Sequence, residues 1–389
     1  MTQPRIVPAT GEVAPSAGPH LTTGRPLRIA QMLESDGPGG AEIVVARLAI
    51  ALRDRGHTIV PVGPAHRVGW LGARMREHGF ETETYTIRRP LDWRCLREVI
   101  YILRARRVEV VHSHEFTMAV YGAAAARWLG LPHVITMHGS QYVTAKRRRR
   151  VALSVAFRCS THVVGVSADT TAHLRRELGP LAGRIQTVVN GVPYRPGDRV
   201  GTRAALGVGD VEVLVLAVGN LIARKGHAVL IRALANQPTD PGARWRLAIA
   251  GQGVERDRLT ALAEEAGVAD RVQLLGQRSD IPDLQAAADI FVMPSLWEGL
   301  PLALLEAMHA GTSIIASRTS GIPEAITDGV EGLLTTPGAV DELSRALASL
   351  LSNAGRRAEL GAAARARACA QFSMDRMTDA YEALYRVRR

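Results

Sequence analysis

Cysteine is scarce in this chain. Cys95, Cys159 and Cys369 stand far apart with no paired spacing, which excludes a disulfide framework and a Cys-based zinc site. It also points to a reducing compartment, so a cytoplasmic protein is expected. Aromatic residues make up 4% of the chain, too few for a base-stacking platform, and nucleic acid is not expected as a partner. No apolar run reaches the roughly 20 residues that span a bilayer. The N-terminus lacks the apolar core of a leader, and Met1–Pro26, rich in Pro, Gly, Thr and Ala, reads as a disordered tail. Neither Asp-x-Asp nor His-Glu-x-x-His occurs, so no dedicated metal site and no cofactor are expected.

Lysine is the other scarcity. Among 48 basic residues only Lys146 and Lys225 are lysines. The net charge of +11 and a pI near 10.3 favour anionic partners. Lys146 opens the run Lys-Arg-Arg-Arg-Arg ahead of the apolar stretch Val151–Phe157. That pairing reads either as a peripheral contact with an anionic membrane, at the inner face, or as a solvated loop.

What is present is a repeat. Short β-branched runs begin at Leu27, Thr58, Val108, His133, His162 and Ile185, with helical stretches between them. Near-continuous apolar strands alternating with helices predict a doubly wound parallel sheet. The segment 190–210, dense in Gly, Pro and charge, reads as a linker. The pattern then restarts at Val211, Trp245, Val272, Ile290, Ser313 and Gly332. The expectation is two facing Rossmann-like α/β domains, 27–195 and 196–372, with a cleft between them and a final helix over 373–389. At 389 residues the chain is long enough for two such cores.

Five features carry chemistry. In Trp-Glu-Gly-Leu-Pro-Leu-Ala-Leu-Leu-Glu, 297–306, Pro301 suits a first helical position and Gly311 a C-terminal cap. Glu298 then precedes a short helix and Glu306 points back toward its start. Both acids can serve the hydroxyls of one extended ligand whose diphosphate rests on the helix N–H groups. The competing reading has Glu298 capping the helix and Glu306 in a surface ion pair. Arg224-Lys225-Gly226 follows a strand, as a phosphate clamp would. Gly37, Gly39 and Gly40 lie between the first strand and first helix, in either a ligand loop or a plain tight turn. His112 and His114 end one strand and His138 another. Gly251 ends a fourth, where a turn near a ligand is expected.

Taken together, these residues resemble the nucleotide-sugar glycosyltransferases of the GT-B fold, glycosyltransferase family 4. The likeness runs from about Leu27 to the C-terminus. It is carried by Glu298 to Glu306, which looks like that family's Glu-x7-Glu signature, and by Gly39-Gly-Ala-Glu42, Thr136-Met-His-Gly139, Asn190-Gly-Val192, Lys225-Gly226, Thr319–Glu324 and Asp328–Gly332 in the expected order. The resemblance implies a retaining, metal-independent transfer of a hexose-type sugar from a nucleoside diphosphate to an acceptor hydroxyl. It implies that Glu298 contacts the sugar, with His138 beside it, and that Gly299, Leu300 and Pro301 belong to the donor-binding loop. Glu306 would take the ribose, and Lys225 with Arg224 the diphosphate, helped by the N–H groups of Leu302 and Ala303 and by Gly39 and Gly40. Asn220 and Gly251 would shape the donor side, and Arg278 the base. His114 and Tyr142 would face the acceptor, whether lipid, polysaccharide or small metabolite. One departure stands out: the family often carries Gly-Arg where this chain has Gly219-Asn220, so Arg224 is taken to supply the charge. The alternatives are a GT-B epimerase acting on nucleotide sugars and a non-catalytic basic membrane adaptor.

Overall fold

The computed structural model describes residues 24–37, 39–65, 69–139, 146–179, 185–237 and 244–387. The tail expected over 1–26 lies outside them up to residue 23.

The first sheet is built from β1 (Arg28–Met32), β2 (Thr58–Pro64), β3 (Glu83–Tyr85), β4 (Val110–His114), β5 (His133–Met137), β6 (His162–Gly165) and β7 (Ile185–Thr187), in the order β3-β2-β1-β4-β5-β6-β7. The second comprises β8 (Val213–Val218), β9 (Trp245–Ala250), β10 (Val272–Gly276), β11 (Ile290–Met293), β12 (Ser313–Ser317) and β13 (Leu333–Thr335), ordered β10-β9-β8-β11-β12-β13. Every pairing in both is parallel. β4, β5, β11 and β12 are buried along their whole length, as strands covered by helices on both faces must be. In each sheet the order reverses once, between β1 and β4 and between β8 and β11. Ligands of such sheets sit outside the carboxyl ends of the strands at that reversal. The loops after β1, β4, β8 and β11 therefore define where to look.

Three expectations needed correction. The segment read as a linker contains a helix, Arg199–Ala205, because the Asp198 carboxylate accepts the Gly201 N–H at 2.9 Å and caps it. An 18-residue helix, Ala354–Gln371, was not anticipated; its Ala- and Arg-rich sequence has no strong apolar period. Pro301 does not open the helix after β11. It is extended at ψ 128° and serves as the N-cap, so the helix is Leu302–Ala310 and Glu306 is its fifth residue.

The last helix, Met374–Arg386, leaves the second domain and packs on the helix Gly40–Asp54 of the first. Arg55 reaches Asp375, Asp379 and Glu382 from below, and His57 meets Glu382 at 2.6 Å. Tyr381 and Tyr385 enter the first domain's core, where the Tyr385 hydroxyl lies 2.7 Å from His112 Nδ1 and the Tyr381 hydroxyl 3.0 Å from Thr136 Oγ1. The chain crosses between domains twice, and the crossings are tied together: Val192 N–H donates to the Phe372 carbonyl at 2.9 Å.

Candidate active site

Glu298 follows β11 and is nine-tenths buried, its side chain 7% exposed. A carboxylate so placed must be compensated. Lys225 Nζ donates to its Oε1 at 2.5 Å and Ser295 Oγ to the same oxygen at 2.7 Å, while Arg224 Nη1 stands 3.3 Å from Oε2. Arg224 also donates to the Trp297 carbonyl at 3.0 Å and lies over the Trp297 ring, 4.2 Å from its centroid. Glu298 therefore does not cap the following helix. It holds the two cations of the loop after β8 against the loop after β11.

Backbone geometry forces this contact. Gly226 sits at φ +70°, and a Cβ there would lie 2.0 Å from the Pro294 carbonyl oxygen, so only glycine lets the Lys225 turn close on the Glu298 loop. Ser320, left-handed at φ +49°, accepts the Glu298 N–H on its hydroxyl at 3.3 Å. The chain keeps this uncommon conformation for a non-glycine residue directly behind the buried acid.

Across the cleft, Gly299 approaches the first domain so closely that a Cβ would lie 2.8 Å from the His138 carbonyl oxygen. His138 is thus brought beside the Glu298 loop. Burial lowers its pKa to about 4, so the ring is neutral at pH 7. Its Nε2 is 3.0 Å from His114 Nδ1, and one ring donates to the other. His114 was expected to face an acceptor. It is wholly buried, and its second nitrogen meets Gln31 Oε1 at 2.6 Å, so both ring nitrogens are engaged and it stands behind His138 instead. Tyr142 lies outside the described residues.

The residue after His114 does reach the site. Glu115 takes a left-handed φ of +63°, and its Oε1 accepts the His138 amide N–H at 3.1 Å. Burial, with Glu34 and Glu42 nearby, pushes its pKa up to about 8. The sequence reading missed Glu115, and the adjoining His-Ser-His run is the only signal that could have drawn attention to it.

Glu306, in the middle of its helix, is engaged by Arg47 of the helix Gly40–Asp54 in the facing domain. The ion-pair reading of Glu306 is therefore what the side chain does here, though the pair spans two domains and is four-fifths buried rather than superficial. Leu302 and Ala303 form the first turn of that helix, whose leading N–H groups have no partner within it. Gly39 is the N-cap of the Gly40–Asp54 helix and Gly40 its first residue, exposed, with open space where a Cβ would be. Asn220 is exposed after β8, and Gly251 bridges to Gly276 at the end of β9. Arg278 is paired with Asp280 at 2.5 Å and follows β10, the edge strand of the second sheet. Pro301 and Leu300 are buried, and Leu300 gives its carbonyl to Asn190 Nδ2 at 3.1 Å.

Residues 38–195 match the family model described as Glycosyltransferase Family 4, and residues 201–367 that described as Glycosyl transferases group 1. A D-inositol 3-phosphate glycosyltransferase of Saccharomonospora viridis is 33% identical over 302 residues, covering 72% of this chain and 70% of that protein. One from Mycobacterium ulcerans is 38% identical over 212 residues, covering 52% of this chain and 45% of its own length. The chain thus spans about half the length of that relative. Among solved structures, Anabaena HepE in complex with UDP-glucose superposes with a TM-score of 0.79 at 24% identity, over 93% of this chain and 100% of that one. Sucrose-phosphate synthase of Thermosynechococcus elongatus gives 0.77 at 23%, over 92% and 98%. At these identities the structural likeness establishes the two-domain GT-B fold.

Proposed function

The chain belongs to glycosyltransferase family 4, and from that premise we propose that it transfers a hexose-type sugar from a nucleoside diphosphate to an acceptor hydroxyl, retaining configuration and using no metal. The observation that carries this reading is the Glu298–Lys225–Arg224 cluster. One buried acid at the switch point of the second sheet holds two cations beside a helix N-terminus, opposite His138.

As the bond between sugar and diphosphate breaks, charge builds on the leaving oxygens. Lys225 has three donors and spends one on Glu298, so the others remain for a phosphate. Arg224 and the N–H groups of Leu302 and Ala303 add fixed positive potential without reorganising. Glu298 faces the sugar hydroxyls, and neutral His138 closes the opposite wall. The family resemblance supports retention. Among the described residues the side-chain partners of the Glu298 carboxylate are Lys225, Arg224 and Ser295, with no second carboxylate to act as a nucleophile, so attack from the same face, assisted by the leaving phosphate, is the proposed course. The curated relatives act on an inositol phosphate and HepE was crystallised with UDP-glucose; for this chain, a UDP-sugar and a small polyol are the first pair to test.

Thermal shift against UDP-, GDP-, ADP- and TDP-sugars tests the donor reading, since a ligand of the folded state raises its stability by mass action. One nucleotide class should raise Tm, and nucleotide release should then depend on added acceptor. Release without any acceptor requirement, accompanied by an altered donor sugar, would favour the epimerase. NMR of the product anomer reads the stereochemistry.

A peripheral membrane contact is proposed alongside, through the helix Arg147–Cys159. Its inner face buries Leu153, Ala156 and Phe157, while Val151 and Val155 face outward at 58% and 56% exposure next to the basic run. No described helix is long and apolar enough to cross a membrane. The three cysteines are few and scattered along the sequence, and a cytoplasmic location is proposed on that ground.

A further inference from the structure

A ribose that takes Glu306 has to take it from Arg47. The two side chains come from facing domains, and both are about four-fifths buried, at 20% and 18% exposure. The pair is poorly completed. Only Nη2 of Arg47 reaches the carboxylate, and Nη1 is buried with no hydrogen-bond partner among the described residues. Arg195 is close enough that burial, Arg47 and Arg74 all lower its pKa, with Glu306 acting the other way. A second guanidinium, that of Arg195, thus stands near the Arg47–Glu306 pair. A buried N–H left unmade costs what a lost hydrogen bond costs, and crowded like charges add to it. The contact holds, but it is cheap to exchange.

We infer that Arg47 sets the affinity of the nucleotide site from across the cleft: it occupies the place of the ribose on Glu306, and nucleotide binding exchanges the guanidinium for the ribose hydroxyls. This rests on the reading of Glu306 as the ribose residue. The apparent affinity of a ligand falls by the fraction of molecules whose site is open to it. An ion pair of this partial burial holds that fraction down by about two- to fivefold. Freed from Glu306, the Arg47 helix is no longer pinned at that point to the second domain.

The experiment is calorimetric titration of UDP, GDP, ADP and TDP into the full chain, its Arg47→Met variant, Glu306→Gln, and the double variant. Methionine keeps the packing of the arginine stem and removes the charge. Arg47→Gln stands in if the methionine form does not fold by circular dichroism. For the nucleotide that wild type binds, Arg47→Met binds about two- to fivefold tighter, and the matching nucleoside gains equally because the exchange is at the ribose. In the Glu306→Gln background the Arg47 change has no effect. Weaker or unchanged binding by Arg47→Met overturns the inference and makes Arg47 a phosphate ligand or a bystander. Failure of all four nucleotides to bind wild type instead overturns the transferase reading, and this inference with it.

Discussion

Glu298 shows how one side chain can organise a site. Its carboxylate collects Lys225, Arg224 and Ser295, so in the proposed reaction it would be at once the group facing the sugar and the anchor of the leaving-group cations. Glu298→Gln keeps the shape and removes the charge that holds Lys225. Turnover should fall by about 10²–10³-fold while the thermal melt stays cooperative. Lys225→Ala should lose a similar factor in kcat. It should also destabilise the fold by roughly 2 kcal/mol, less than for a fully buried pair because Arg224 remains on the carboxylate. Steady-state kinetics with a urea melt separates the two effects. Near-normal turnover by either folded variant would remove the assigned roles. At this scale the sequence was legible where a rare residue type met a motif: one of only two lysines lies on the Glu298 acid. It was not legible at Arg47 or Glu115. Arg47 is one arginine among dozens, and Glu115 gains its meaning only from the β4–β5 register.

Elements place these residues by where they end. The helix Leu302–Ala310 is anchored by Leu304, Leu305 and Met308, each wholly buried and worth about 1.5–3 kcal/mol of transfer free energy. Its polar start is thereby held at the cleft. The strand–helix alternation was readable because fully covered parallel strands are apolar runs. The helix Ala354–Gln371 was not, since it packs with small residues such as Gly361, Ala364 and Ala368 that give little periodic signal. The turn from β4 into the next helix carries a pH effect of its own. Glu115 has a folded pKa near 8 against the usual carboxylate value near 4.5 when unfolded. The folded chain therefore holds a proton that the unfolded chain has lost, and stability falls as pH rises through that window. Glu115→Gln should flatten this fall, so its Tm gains on wild type more at pH 8 than at pH 5. His138, depressed to about 4, acts in the opposite sense: its contribution is present above pH 6.5 and is lost as pH falls toward 4. A Glu115→Gln melt that tracks wild type across pH 5–8 would contradict the assignment.

At the scale of the molecule, charge and shape separate. The net +11 is not spread evenly, because the helix Arg147–Cys159 begins with four arginines and turns two valines outward. Replacing Arg147 and Arg148, both exposed, with Gln should weaken co-sedimentation with phosphatidylglycerol vesicles, by about 1 kcal/mol per charge at low salt. It should leave nucleotide binding as it was. Equal pelleting of both forms would reduce the run to a solvated surface. The two-domain plan was legible from the repeat of strand runs on either side of residues 190–210. The contacts that join the halves were not, because they pair residues such as Glu324 with Ala168 and Asp169, whose amides it accepts at 2.7 Å.

The chain passes between its halves at Val192 and again at Phe372, and those passages are hydrogen-bonded to each other. Two linkers fastened side by side behave as one axle. Any closing of the lobes on what enters the cleft has to turn about that shared seam.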